Sequence, residues 1–128
     1  MSYYFAKTLD TDFDEVIKQV TEQLAASGFG ILTTIDVSTT LKKKLDADLR
    51  RYTILGACHP QSAYQAIQAE NKIGVMLPCN VLVRETDDGK VEVAAVDPVA
   101  SMSAVQNESL GGIATDVQEK LKNVVESL

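Results

Sequence analysis

Residues 72–96, KIGVMLPCNVLVRETDDGKVEVAAV, decide the fold. Two runs rich in Val, Ile and Leu flank Thr86–Gly89, TDDG, and the second run alternates in the period of two that a half-buried strand requires. An Asp- and Gly-rich segment between two such runs predicts a β-hairpin. A hairpin pairs its strands antiparallel, which argues against an all-parallel, doubly wound sheet. Pro78 has no N–H to give to a ladder, so the first hairpin strand is expected to be bulged, kinked or at an edge, with Cys79 and Asn80 re-aimed by it.

Upstream, Tyr3–Lys7 reads as a short strand. Phe13, Val16, Ile17, Val20 and Leu24 then fall at helical spacing, with Asp12 placed to cap and Gly28 to stop the helix. FGILTTIDV reads as a strand, STTLKKKLD as a short helix capped by Ser38 or Thr39, and RRYTILGA as another strand. Pro60 fits the first turn of a helix running to about Asn71. Asp97-Pro98 marks the cap and first turn of a helix through about Gln106, which Gly111-Gly112 separates from a last helix striped by Ile113, Val117, Leu121, Val124, Val125 and Leu128. Residues 1–128 are therefore expected to form a single α+β domain, an antiparallel-rich sheet of about five strands with helices mainly on one face.

With 128 residues, 45% of them hydrophobic, the chain is long enough for one core, and it has no apolar run approaching the ~18 residues of a membrane span. No basic, then apolar, leader opens it, so a soluble, cytoplasmic protein is expected. A net charge of −6 disfavours nucleic acid. The basic cluster in LKKKLDADLRR reads as a solvated face whose buried side is Leu41 and Leu45. Glu85 and Asp97 are a weaker candidate, a carboxylate pair across the hairpin. There is no Gly-rich phosphate loop, G-x-S-x-G, H-E-x-x-H or EF-hand loop, so the standard nucleotide and hydrolase chemistries have no foothold.

What remains is a pair of cysteines. Cys58 and the single histidine, His59, stand where a strand hands over to a helix, a position whose field favours a thiolate and a neutral imidazole. Against this stands the plainer reading of a buried Cys58 and a His59 that caps the helix. Cys79 and Asn80 would present a second thiol and an amide. The intervening helix returns the chain, so Cys58 and Cys79 are expected to converge as reduced thiols. Cys58, His59 and Cys79 make three ligands of the kind a soft metal ion takes, with water, Asp97, Met76, Met102 or a partner chain as a fourth.

The combination YTILGACHP, a helix, IGVMLPCNVLVRE, an acidic turn and VAAVDP resembles the bacterial and archaeal domain of unknown function 302 family over nearly the whole chain. The resemblance implies a TATA-binding-protein-like α+β layout, commonly a homodimer, and no established activity. Cys58, Pro60, Pro78, Cys79, Asn80 and Asp97-Pro98 match the family's motif. Its pattern usually has asparagine where this chain has His59, so a metal site needing that imidazole would not be family-wide. Two readings follow. One is a binding module holding a small ligand or soft metal ion at Cys58, His59, Cys79 and Asn80. The other is a thiol-redox protein in which Cys58 reacts and Cys79 resolves, beside a dimeric interaction domain without chemistry. The last helix's apolar stripe adds to the expectation of a homodimer.

Overall fold

The computed structural model describes residues 2–128. Five strands, β1 (Tyr4–Leu9), β2 (Gly30–Asp36), β3 (Tyr52–Cys58), β4 (Cys79–Glu85) and β5 (Val91–Val96), form one sheet in the order β1-β5-β4-β3-β2, every neighbouring pair antiparallel. The hairpin is β4–β5, with Glu85 opposite Val91 and Gly89 at φ 81° closing the turn. Asp97 lies beyond the far end of β5, so Glu85 and Asp97 do not pair.

Two long helices, α1 (Phe13–Ala26) and α5 (Gly111–Glu126), cover one face of the sheet. Helix α1 starts as its sequence requires: the Asp12 carboxylate accepts from the Glu15 amide. Gly28, at φ 87°, turns the chain out at its end. Its apolar stripe, Phe13, Val16, Val20 and Leu24, meets Val117, Leu121, Val124 and Val125 of α5 above the inward side chains of the strands. Those are Leu55, Ala57, Cys79, Val81, Val83, Val91, Val93 and Ala95, the alternate residues that the two-residue period sends to one side. The stripe of α5 is thus consumed in the protein's own core.

Several elements depart from the sequence reading. Helix α2 (Val37–Leu45) is capped by Asp36, whose carboxylate accepts from the Thr39 amide and from the Ser38 and Thr39 hydroxyls; the two expected caps bind the residue that caps. These bonds hold the Asp36 carboxyl below its usual range, the Thr39 amide first among them. No residue of α2 is buried, and Leu45 is 71% exposed. The basic cluster around it is solvated, with Lys42 bridging Asp46 and Asp48. Ile73–Met76 forms a 3₁₀ turn instead of continuing a strand. Pro78 stands just outside β4, whose first residue is Cys79, and β4 is the central strand, neither bulged nor at an edge. The helix after Asp97, α4, ends at Ser101, and Gly111-Gly112 opens α5 where a break was expected.

Candidate functional site

Helix α3 (Pro60–Ala69) follows β3 directly, with Pro60 in its first turn and His59 as its cap. The His59 Nδ1 accepts from the Ser62 amide at 3.4 Å and lies 2.9 Å from the Ser62 hydroxyl. A ring accepting at Nδ1 carries its hydrogen on Nε2, and Nε2 faces Gly28, 3.1 Å from where a Cβ would stand. The ring meets Phe29 edge to face at 5.3 Å. Gly28 thus serves two ends: its positive φ turns the chain, and its missing side chain makes room for His59. The capping role that the sequence left open for His59 is the one it performs.

Cys79 is opposite Ala57 in the β3–β4 register, and Cys58 is the next residue along. Paired Cα atoms in an antiparallel ladder are ~5 Å apart and consecutive ones ~3.8 Å, which puts the two cysteine Cα atoms within about 9 Å. The two positions converge, and both cysteines are free. They differ in setting. Cys79 shares the helix-covered face with Ala57 and is 8% exposed, while Cys58, one residue off in the pleat, is half-buried. Burial, with a smaller contribution from Cys58, pushes the Cys79 thiol up to about 11.

Both cysteines, His59 and Ser62 lie in the wall of one cavity of about 290 Å³. It occupies the end of the sheet between α3 and α5. Ala57, Ala66, Pro78, Ala114 and Val117 supply apolar wall, Met102, Leu110 and Ile113 one flank, and Leu32 and Ile67 the exposed lip. Leu32 reaches the lip because the β2–β3 register slips between Ile31 and Thr33, which takes it out of the regular alternation. Gly56 lets the wall close: a Cβ there would stand 2.8 Å from Pro78 Cγ and 2.6 Å from Thr33 Cγ2, so the segment leading into Cys79 packs against β3 only because position 56 has no side chain.

Of the four expected ligand-binding residues, Cys58, His59 and Cys79 share this cavity, and Asn80 does not. Asn80 follows Cys79 in the pleat and points to the helix-free face, where it neighbours Tyr52, Ile54, Leu82 and Arg84. The thiol and amide of LPCN are therefore presented to opposite sides of the sheet. Among the described residues no group of three or more His, Cys, Asp or Glu side chains is placed to hold a metal ion. The proposed metal set of Cys58, His59 and Cys79 is not gathered, because Nδ1 of His59 is engaged by Ser62 and Nε2 is turned to Gly28. Ser62, Leu32 and Ala114 went unnoticed in the sequence. Only Ser62 carried a signal there, standing three residues after the capping histidine.

The sequence profile of the domain of unknown function DUF302 matches residues 5–128. The chain belongs to the DUF302 family. No curated protein matches it. Its structure is similar to the crystal structure of an uncharacterized conserved DUF302 protein from Bacillus stearothermophilus, with a TM-score of 0.91 at 24% identity over 98% of each chain. That likeness establishes the DUF302 fold here, a five-stranded antiparallel sheet with helices packed on it. No helix among the described residues is long and apolar enough to cross a membrane.

Proposed function

We propose that this DUF302 protein is a binding module for a small, largely apolar molecule, held in the cavity between α3, α5 and the end of the sheet. The observation that carries the reading is the cavity itself, about 290 Å³ walled by Ala57, Ala66, Ala114 and Val117, with the polar residues of its lining, Cys58, His59, Ser62 and Cys79, gathered at one place. Ligand sites have this composition, an apolar surface with a few polar groups at one place. A purely apolar cavity of ~150 Å³ accepts benzene, so the volume here suits a molecule of one to two rings or a short aliphatic chain. A soft metal ion is the less favoured occupant, since two thiols without a third donor make a poor set. The thiol-redox alternative is disfavoured by Cys79: a resolving thiol must be available as thiolate, and burial opposes that.

The test is thermal unfolding with increasing 3-phenylpropanol, a neutral molecule of fitting size. Ligand at about 100 times its Kd stabilises by about 2.7 kcal/mol. The expected result is a rise in Tm that vanishes in Ala114→Phe, which fills the cavity. A rise that survives in that variant would place binding elsewhere.

A second copy of the chain is proposed as the partner, seated on the helix-free face of the sheet. Tyr4, Ile35, Ile54, Leu82, Ala94 and Val96 form an apolar surface there around the Arg84–Glu92 pair, which is 2.8 Å apart and self-neutralised. A standard interface takes ~800 Å² from each partner, about a tenth of the 7597 Å² this chain exposes. A cytoplasmic location stays the expectation of the sequence.

A further inference from the structure

We propose that the cavity selects by charge: its occupant is an uncharged molecule, and carboxylates and ammonium ions of the same size are shut out. The proposal rests on the reading that the cavity binds a small apolar molecule, and it names the class. No Asp, Glu, Lys or Arg among the described residues lines the cavity, on a chain in which these make up 23% of the sequence. The depletion extends beyond the wall. Residues 23–35, 52–69, 73–83, 98–107 and 109–115 supply every lining residue except Val117, and none of these stretches contains any of the four. Even the solvent-facing side of α3, with Gln61, Tyr64, Gln65 and Gln68, is neutral, where an exposed helix face ordinarily carries charge. Arg51 and Arg84, which stand opposite this end, flank Tyr52 and Val83 at the far ends of β3 and β4.

An ion that leaves water for such a site needs a counter-charge or several hydrogen bonds, and without them it enters only by first becoming neutral. The polar groups of the lining do not provide them. His59 accepts at Nδ1 from Ser62, so its ring is uncharged, and burial keeps the Cys79 thiol protonated. Helix α3 begins at the wall, but Pro60 has no N–H, and the amides of Ser62 and Ala63 are bonded to Nδ1 and to the carbonyl of His59. Helix α5 also begins there, at Gly111, and its dipole favours an anion over a cation. A carboxylate is therefore the sterner test of the exclusion.

The experiment titrates the reduced protein with three probes of nearly one shape: 3-phenylpropanol, 3-phenylpropionate and 3-phenylpropylammonium. The methyl signals of Ala66 and Ala114 report occupancy of the cavity itself. At pH ~7.4 a carboxylic acid of pKa ~4.3 and an amine of pKa ~10.4 are each neutral in about one molecule per thousand. Entry of the neutral forms alone therefore puts the Kd of either ion about a thousandfold above that of the alcohol. The expected result is that, at about ten times the alcohol's Kd, neither ion moves the two methyl signals while the alcohol nearly saturates them. Half-occupancy or more by either ion at that concentration would overturn the exclusion and leave the binding reading intact. Failure of 3-phenylpropanol to move these signals would overturn the binding reading and the exclusion with it.

Discussion

Gly56→Ala tests how the cavity wall is built, and its sign is set by two opposing effects. Replacing glycine in a strand restricts the unfolded chain, which stabilises by about 0.4–1 kcal/mol where the native backbone suits alanine. Against this, the new Cβ would lie 2.6 Å from Thr33 Cγ2 and 2.8 Å from Pro78 Cγ, both closer than carbon atoms approach. Thr33 is exposed on the edge strand and can turn its methyl away at modest cost. Pro78 cannot: its ring is rigid, and the next residue, Cys79, is locked into the central strand. Overpacking of this kind costs roughly 1–3 kcal/mol, so a net loss of about 1–2 kcal/mol is expected. For 128 residues, an unfolding entropy of about 2.1 cal/mol/K per residue makes 1 kcal/mol worth about 4 °C. Calorimetry should therefore show a fall in Tm of about 4–8 °C. Adding Thr33→Ser, which removes Cγ2, should recover part of the loss, with a coupling above ~0.5 kcal/mol in the double-mutant cycle. An unchanged or raised Tm in Gly56→Ala, or strict additivity with Thr33→Ser, would refute the packing argument.

Leu121→Ala, at a fully buried position where α5 meets α1 and the sheet, should lose about 2–5 kcal/mol in urea denaturation. Asp97→Ala removes the carboxylate that caps α4 and accepts from Gln118 of α5, and should cost about 1–2 kcal/mol by the same assay. Because the Cys79 thiol is raised in the fold from 9.0 to about 11, the unfolded chain loses this proton first as pH rises. Stability from Cys79 is thus whole below pH 9 and falls between pH 9 and 11, by up to ~2–3 kcal/mol, a slope that should be absent in Cys79→Ala. Light scattering at tens of micromolar should report a dimer, and Leu82→Glu on the helix-free face should yield a folded monomer; a monomeric wild type would remove the proposed partner.

The elements most legible in the sequence were those whose signals are local. Helix α1 carried its own stripe, cap and stop, and the β4–β5 hairpin its own turn. Ile73–Met76 misled because a 3₁₀ turn and a buried strand can share one apolar composition, and the arbiter, Pro78, acts by ending the turn before β4 begins. The cap of α2 lay two residues before the helix as read, since Asp36 fell inside the segment read as a strand. The convergence of Cys58 and Cys79 was legible from the proline-marked junctions. The separation of Cys79 from Asn80 was legible too, had the two-residue period been carried through Cys79, Val81 and Val83 against Asn80, Leu82 and Arg84. The cavity was not legible, because alanines and valines from β3, α3 and α5 become a wall only when distant segments pack short of contact.

That cavity is most directly tested by methyl-resolved NMR of the reduced protein titrated with 3-phenylpropanol. Binding as proposed would shift the methyl signals of Ala66, Ala114, Ile113 and Val117, which surround the cavity, and leave Leu82 and Ala94 on the far face of the sheet unmoved. Shifts confined to Leu82 and Ala94, or none at saturating concentration, would contradict the account.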